Sequence, residues 1–138
     1  MTQIDVIDIA DASAFDEFYD VYLRSSGRPF DGPWLAVEKR VNLTDDAYGT
    51  KIAVVGRDDA GIAVTAGWCA MPTSDNTDFA FVEVFVPPEH RRRGHGTQVL
   101  EHLLTVARSQ GRTKALAMPA WAVDADGEAF GSSSLPPP

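Results

Sequence analysis

One segment of this chain constrains the fold more than any other, a strand that ends abruptly at two prolines. Residues 79–86 alternate strictly, which places every second side chain on the same face of a β-strand. One face carries Phe79, Phe81, Glu83 and Phe85, and the other carries Ala80, Val82, Val84 and Val86. Pro87 and Pro88 end the strand, because neither residue has a backbone N–H to donate to a sheet.

Apolar periodicity elsewhere predicts one sheet with helices packed on it. Strands are expected at residues 3–9, 51–57, 62–71, 79–86 and 113–118, and helices from Asp11 or Ser13 to Ser25, from Pro33 to Leu43, and from Gly96 or Thr97 to Gly111. The buried positions of the three helices are predicted to be Phe15, Phe18, Tyr19, Tyr22 and Leu23; Trp34, Leu35, Val37 and Val41; and Val99, Leu100, Leu103, Leu104 and Ala107. This order of elements indicates an α/β fold of the α+β layer type. One domain is expected over residues 1–130, with a tail at 131–138 that lacks fixed structure.

Charge and cysteine content exclude several classes of protein. The 138 residues carry 12 Lys and Arg against 20 Asp and Glu, and the net charge of −8 argues against a nucleic-acid-binding protein. The single cysteine, Cys69, allows no internal disulfide and is expected to pack in the core. His95 and His102 lack a third ligand, so no metal site is expected, and His90 and His95 are expected to face solvent. No signal peptide or membrane span is recognised, so a cytoplasmic protein without a membrane partner is expected.

A basic, glycine-containing loop leads from the prolines into the third predicted helix. Its sequence is Arg91-Arg92-Arg93-Gly94-His95-Gly96, and the next acidic residue is Glu101. A helix N-terminus presents unpaired N–H groups and a partial positive charge, which most helices neutralise with an acidic side chain. Here arginines are added instead, and the two glycines allow a ligand to approach the backbone closely. The arrangement favours a seat for a doubly charged anion, such as a pyrophosphate, over a solvated basic loop.

Two common phosphate-binding motifs do not account for this loop. The nucleoside-triphosphate loop requires Gly-x-x-x-x-Gly-Lys-Ser/Thr, which the chain lacks. The dinucleotide fingerprint requires a third glycine where this chain has Val99, and it follows the first strand of its domain rather than a late one. Another phosphate-bearing ligand is therefore indicated.

The segment from Val86 to Gly96 resembles the acetyl-CoA signature of the GNAT acyltransferases, Arg/Gln-x-x-Gly-x-Gly/Ala. Arg91, Gly94 and Gly96 occupy the motif positions, and Pro88 matches a proline that commonly precedes the motif. The predicted order of elements is similar to that of the family over residues 3–118. The resemblance implies a mixed, mostly antiparallel sheet flanked by helices. It also implies an enzyme that moves an acetyl group from acetyl-CoA to an amine of a small molecule or a protein.

The resemblance implies roles for individual residues. Main-chain groups of Phe85 and Val86, at a bulge in the strand, would pair with the pantetheine arm, and the fourth and fifth strands would splay apart. The amides of Arg91, Arg92, Arg93, Gly94, His95, Gly96 and Thr97 would hold the pyrophosphate. Acetyl transfer needs a base for the acceptor's ammonium proton, and Glu83 is the candidate, in an apolar setting on the fourth strand. The alternative for Glu83 is a side chain at the rim of the sheet that faces water.

The sequence departs from the family pattern at its C-terminal end. GNAT proteins usually add a helix and two strands after the fifth strand, often with a tyrosine that protonates the departing thiolate, whereas this chain has no tyrosine after Tyr48. Three alternatives are open: the N-terminal part of a larger tandem acyltransferase, a short form completed by a partner chain or a homodimer, and a non-catalytic CoA-binding or structural relative. Detectable acetyl transfer would exclude the last.

Overall fold

The computed structural model describes residues 2–25, 35–47 and 49–117, which form five strands and three helices. They are β1 (Gln3–Ile7), α1 (Ala12–Ser25), α2 (Ala36–Asn42), β2 (Gly49–Arg57), β3 (Ala63–Pro72), β4 (Phe79–Phe85), α3 (His95–Ser109) and β5 (Lys114–Ala117). A 3₁₀ turn, Pro88–His90, lies between β4 and α3. The predicted order of elements is confirmed. The predicted tail at 131–138 lies outside the described residues.

The strands form one sheet in the order β1-β2-β3-β4-β5. Neighbouring strands are antiparallel except for β4 and β5, which are parallel because the chain crosses over through α3 between them. At the β2–β3 turn the Asp58 carboxylate accepts hydrogen bonds from the N–H groups of Ala60 and Ile62, at 2.9 and 3.0 Å. Gly61 adopts the positive φ of 81° that this turn requires. The mixed, mostly antiparallel sheet confirms the predicted fold class.

The helices cover opposite faces of the sheet. α1 packs on one face, and α3 packs on the other through Val99, Leu103 and Ala107, with Leu100 and Leu104 partly buried beside them. The predicted stripe of α3 is thus confirmed. β4 contributes to both layers, since Phe85 packs in the α1 layer and Val82 in the α3 layer. The alternation that predicted this strand therefore reflects burial on both of its faces.

Several predicted boundaries differ from the structure. β1 ends at Ile7 and not at Ile9, because Asp8 turns the chain. Its carboxylate accepts a hydrogen bond from Ala10 N at 2.9 Å and its carbonyl accepts one from Asp11 N at 3.0 Å. β4 ends one residue earlier than expected, at Phe85, and β5 begins one residue later, at Lys114, while the predicted end of β5 lies outside the described residues. α3 begins earlier than expected, at His95, and Gly111, with a φ of +80°, follows its C-cap Gln110.

The cap of α1 is Asp11, whose carboxylate accepts hydrogen bonds from the N–H groups of Ser13 and Ala14, at 3.0 and 3.3 Å. The predicted stripe is confirmed for its aromatic members but is wrong for Leu23, which is 40% exposed. Val21 is buried in its place. Leu23 lies one residue past the buried Tyr22, and one residue turns a helix by about 100°, which carries this side chain away from the sheet.

The prediction for α2 is wrong in length and in the orientation of three of its apolar residues, and Trp34, the fourth, lies outside the described residues. Within the described residues the helix begins at Ala36 and has seven residues. Leu35, Val37 and Val41 were expected to be buried, but they are 64%, 68% and 69% exposed. Lys39 faces the sheet instead and is 3% exposed. The reason is that three aromatic rings and a carboxylate surround the lysine ammonium.

Arg57, at the end of β2, joins three elements through its guanidinium group. Nε donates to Asp5 of β1 at 2.8 Å, and both terminal nitrogens donate to the carboxylate of Glu17 in α1. Hydrogen bonds from Arg57 hold the pKa of Asp5 and the pKa of Glu17 below their ordinary values. Both carboxylates therefore stabilise the folded state above the pKa of the unfolded chain, and this contribution is lost as the pH falls.

Replacing Arg57 by methionine, which keeps an unbranched apolar side chain, is expected to lower the midpoint of thermal unfolding at neutral pH by about 3 °C. The wild type should lose this advantage as the pH falls below the ordinary pKa values of 3.8 for Asp5 and 4.5 for Glu17. Circular dichroism melts of both proteins, from neutral pH to about pH 3, measure the difference between their two unfolding midpoints. A difference in midpoint that stays constant in acid would contradict the stabilising role of the Arg57 bonds to Asp5 and Glu17.

Candidate functional site

The loop between β4 and α3 is curled by its own backbone. His90 N donates to Pro87 O at 2.9 Å and Arg91 N donates to Pro88 O at 3.3 Å, which closes the 3₁₀ turn. Arg92 then adopts a φ of +66° and Gly94 a φ of +81°. Left-handed residues are used to curl a backbone into an anion-binding concavity, and a left-handed residue other than glycine is uncommon. The sequence had indicated the glycine but not the strained arginine.

The N-terminus of α3 has no side-chain cap and no acidic residue in its first turn. The first hydrogen bond within the helix runs from Gln98 N to Gly94 O, at 3.1 Å. The N–H groups of His95, Gly96 and Thr97 therefore have no carbonyl partner within the helix. Arg92 and Arg93 are exposed on the approach to this end. The described geometry is the positive, donor-rich helix end that an anion seat requires.

The two glycines of the motif meet different requirements. A Cβ atom on Gly96 would lie 2.9 Å from Val86 Cγ2 and 3.5 Å from Val84 Cγ1, so a side chain there would require Val86 or the first turn of α3 to shift. A Cβ atom on Gly94 would meet no atom within 4 Å, but the φ of +81° disfavours any other residue there. Gly96 therefore permits close packing, and Gly94 permits the turn.

Arg91 holds the loop against the end of β4. Its Nε donates a hydrogen bond to the carbonyl of Val86 at 2.9 Å. Its own amide is bonded to Pro88 O, which differs from the expectation that this amide joins the others around a pyrophosphate. Arg91 thus positions the loop, and the amides of the expected seat begin at Arg92.

The expected pantetheine contacts lie past the last β4–β5 pair that the described residues show. The pairing of β4 with β5 covers Phe79–Val82, and among the described residues the following three residues of β4 have no strand partner on that side. The register with β3 is continuous up to the Ala66–Phe85 pair, so the bulge expected near the end of β4 is not present in the paired residues. The register shift between β2 and β3 lies instead at Gly56 and Arg57.

In both residues expected to pair with pantetheine, Phe85 and Val86, the carbonyl oxygen already accepts a hydrogen bond within the protein. The carbonyl of Phe85 accepts a hydrogen bond from Thr65 Oγ1 at 2.8 Å, and the carbonyl of Val86 accepts the bond from Arg91. A carbonyl oxygen can accept two hydrogen bonds, so each retains capacity for one more. Thr65, a buried polar residue that the sequence analysis missed, fixes the end of β4.

Glu83 lies on the α1 side of β4, directly opposite Trp68 of β3. Its carboxylate accepts a hydrogen bond from Trp68 Nε1 at 2.7 Å, and its Oε1 is 4.0 Å from Lys39 Nζ. The Glu83 side chain is 24% exposed, so it is neither sealed in the core nor free in water at the rim of the sheet. The indole orients the carboxylate, and the lysine supplies a counter-charge that the sequence did not reveal.

Three aromatic rings surround the Lys39 ammonium. Nζ lies 4.6 Å from the ring centroid of Tyr22, 5.2 Å from that of Phe85 and 5.3 Å from that of Trp68. Nζ also approaches Asn42 Oδ1 at 3.5 Å. Burial lowers the pKa of Lys39, and the Glu83 carboxylate opposes this shift. Ring faces and a carboxylate both attract a cation, which explains why a lysine, and not a leucine or valine, faces the sheet.

The loop histidines are partly buried and do not face solvent freely as expected. His95 Nδ1 lies 2.7 Å from Thr2 Oγ1, and Gln98 Oε1 accepts a hydrogen bond from Thr2 N at 3.1 Å. The start of the chain is thereby tied to the start of α3. Burial, followed by the charges of His90 and Arg93, lowers the pKa of His95. The imidazole is therefore biased toward its neutral form at this helix end.

Cys69 is buried on β3 and packs in the α3 layer, as expected. Burial raises the pKa of its thiol to about 11. Because the thiolate is the reactive form, labelling of the native protein by Ellman's reagent at neutral pH is expected to be at least about 100-fold slower than labelling of the denatured protein. Equal rates in the two states would contradict this placement.

No helix in residues 2–25, 35–47 or 49–117 is long and apolar enough to cross a membrane. Over the same residues, His, Cys, Asp and Glu side chains form no group of three or more that could hold a metal ion.

Solved structures share the fold at low sequence identity. The tandem GNAT protein from the clavulanic acid biosynthesis pathway matches 99% of this chain with a TM-score of 0.74 at 22% identity, and this chain spans 40% of its length. The GNAT domain of S. lividans PAT matches 84% of the chain, with a TM-score of 0.64, 20% identity and 70% of that chain covered. The aminoglycoside N-acetyltransferase AAC(6')-Iy in complex with CoA matches 86%, with a TM-score of 0.60, 14% identity and 76% of that chain covered. No curated protein matches the chain.

The sequence profile of the acetyltransferase (GNAT) family matches residues 15–129. This match includes most of α1 and all of β4, the basic loop and α3, and it extends beyond the described residues. The expectation drawn from the motif and from the order of elements is therefore confirmed, and the chain belongs to the acetyltransferase (GNAT) family.

Proposed function

We propose that this chain binds acetyl-CoA at the end of β4 and transfers its acetyl group to an amine of a small molecule or a protein. The observation that carries the proposal is the uncapped, acid-free N-terminus of α3, approached by Arg92 and Arg93 and packed against β4 at Gly96. A diphosphate fits such a helix end because amides and arginines both favour negative charge. The amides from Arg92 to Thr97 are proposed to hold it.

Residues near the end of β4 are proposed to carry the chemistry. Acetyl-CoA supplies an activated thioester. The remaining acceptor capacity of the Phe85 and Val86 carbonyls lies along the strand that would face its arm. Glu83, oriented by Trp68 Nε1, would accept the proton that the acceptor ammonium must lose before its nitrogen can attack. The nitrogen–carbon bond forms as the carbon–sulfur bond breaks, and the second proton that the nitrogen must lose passes to the departing thiolate, which leaves as the free CoA thiol.

A second function is a CoA-binding module without turnover. One observation favours it: the carboxylate proposed as the base is already engaged by Trp68 and lies 4.0 Å from the Lys39 ammonium. Release of free CoA thiol from acetyl-CoA in the presence of amines separates the two functions. Amine-dependent release supports the transferase. Binding of acetyl-CoA without release supports the module.

Titration calorimetry with acetyl-CoA tests the binding site. Replacing Arg91 by alanine removes the hydrogen bond to Val86 O and is expected to raise the Kd about tenfold, since a hydrogen bond from a charged group contributes about 1.5 kcal/mol. Arg108→Ala, at the opposite end of α3, is the matched control and should bind as the wild type does. A folded wild-type protein that shows no binding would contradict the proposal.

A further inference from the structure

α2 is folded with its apolar side outward. A helix that packs on a sheet normally buries an apolar stripe and exposes its charges. In α2 and at its start the arrangement is reversed, because Leu35, Val37 and Val41 face solvent while Lys39 is 3% exposed. The surface beneath α2 therefore selects a cation over the apolar side chains available two residues away on either side.

That surface has the composition of a cation-binding site. We call it the ammonium cage: the rings of Tyr22, Trp68 and Phe85 and the carboxylate of Glu83. The three ring centroids lie 4.6–5.3 Å from Lys39 Nζ, and the nearest carboxylate oxygen is 4.0 Å away. Aromatic cages of this kind recognise ammonium groups in ligands, because each ring face is negative and excludes water. Here the ligand belongs to the same chain.

The ammonium cage coincides with the proposed reaction site. Glu83 belongs to both, and Phe85 is the last residue of the β4 edge that has no partner strand among the described residues. An amine placed where Lys39 Nζ lies would be beside the proposed base and next to the proposed path of the pantetheine arm. The four-carbon lysine side chain shows that an unbranched alkyl chain can lead an ammonium group into the cage.

We infer that the ammonium cage is the acceptor site for a primary amine on an unbranched alkyl chain, and that Lys39 occupies it as a resident ligand which the acceptor must displace. The assignment of the amine as an acceptor rests on the proposed function. The ammonium-binding property of the cage does not, because it depends only on the rings and on Glu83.

Displacement of Lys39 requires α2 to move, and within the described residues Lys39 is the one side chain of this helix that is buried. The helix has seven residues, too few to be stable without tertiary contacts. Besides Lys39, the attachments seen in the described residues include Leu43, buried just after the helix, and Arg40, which lies over the Phe15 ring at 4.6 Å. α2 would thus act as a lid over the ammonium cage, held closed by the contacts of the Lys39 ammonium.

Lys39→Ala tests the inference, with n-butylammonium as the probe because it has the four carbons and the ammonium group of a lysine side chain. Titration followed by Trp fluorescence is expected to show binding to Lys39→Ala at least about tenfold tighter than binding to the wild type, and at least about tenfold tighter than binding of n-butanol. Lys51→Ala is the matched control, since Lys51 is ion-paired with Asp46 at 2.9 Å but lies outside the cage. Binding of n-butanol equal to that of n-butylammonium, or no gain over the wild type, would overturn the inference.

The wild type provides a second test that does not depend on the folding of Lys39→Ala. Saturating n-butylammonium, but not n-butanol, is expected to speed hydrogen exchange of the α2 amides at least about threefold, and those of β2 should not change. Unchanged exchange in α2 would overturn the role of Lys39 as a displaceable ligand. A capped peptide with one lysine, titrated beside n-butylammonium, distinguishes a protein amine from a free amine, and binding of either supports the site.

Acetyl-CoA titrations of the same variants separate this inference from the proposed function. If Lys39→Ala binds n-butylammonium but neither protein binds acetyl-CoA, the ammonium site stands and the transferase proposal fails. If acetyl-CoA binds and n-butylammonium does not, the proposed function stands and the ammonium site fails. Lys39 is then a structural lysine that anchors α2.

Discussion

Glu83→Gln is expected to lower kcat for acetyl transfer by at least about 100-fold, the contribution of a well-placed base, and to leave the Kd for acetyl-CoA unchanged. A glutamine oxygen can still accept the hydrogen bond from Trp68 Nε1, so the side chain keeps its orientation, but it cannot take up a proton at neutral pH. Initial rates of thiol release at saturating acetyl-CoA and amine measure kcat. Calorimetry on the same preparation measures the Kd.

Two comparisons make this result specific. Glu101→Gln removes an exposed carboxylate from α3 and should leave kcat unchanged. Glu83→Gln also leaves the Lys39 ammonium without its carboxylate, which destabilises a buried cation. The double variant Lys39→Met with Glu83→Gln removes both charges and should recover thermal stability but not kcat. If Glu83→Gln retains kcat to within about threefold, Glu83 is not the base.

Gly94→Val is expected to weaken acetyl-CoA binding by at least about 100-fold. Gly94 has a φ of +81° at the start of α3, a conformation that a β-branched residue adopts only with strain. The loop would therefore relax toward a negative φ and turn its amides away from the anion. Calorimetry with acetyl-CoA measures the loss.

Gly61→Val is a matched control for Gly94→Val. Gly61 has the same φ of +81°, and at both positions an added Cβ would meet no atom within 4 Å, but Gly61 lies in the β2–β3 turn. Both variants should lose similar stability in thermal melts, and only Gly94→Val should lose acetyl-CoA affinity. Equal affinities in the two variants would show that the loop backbone does not bind the diphosphate.

The fold was predictable in segments where the periodicity of apolar residues alone decides which side chains are buried. β4 has apolar side chains at almost every position, and α3 has a full stripe at helical spacing, so any packing of these segments buries the same residues. The loop at Arg91 to Gly96 was likewise readable, because backbone conformation and close approach demand glycine locally. Local chemistry thus determined the sheet, α3 and the motif that identifies the family.

The ends of elements were less predictable, because competing local hydrogen bonds decide them. Nothing in the apolar pattern distinguishes Ile7 from Ile9 as the end of β1, and the two hydrogen bonds accepted by Asp8 settle it. Leu23 continues the helical spacing of the α1 stripe, yet the direction in which α1 faces the sheet leaves it exposed. Such choices depend on geometry that a linear pattern does not contain.

The sequence by itself determined the strand that stops at Pro87 and Pro88, the glycine-bearing helix start that follows, and membership of the acetyltransferase (GNAT) family. Only the tertiary structure decided that Lys39 is buried and that Glu83 is held by Trp68. The physical reason is the distance along the chain. The first set of features arises between near neighbours, whereas the cage around Lys39 joins α1, β3 and β4, whose shared surface exists only after they pack.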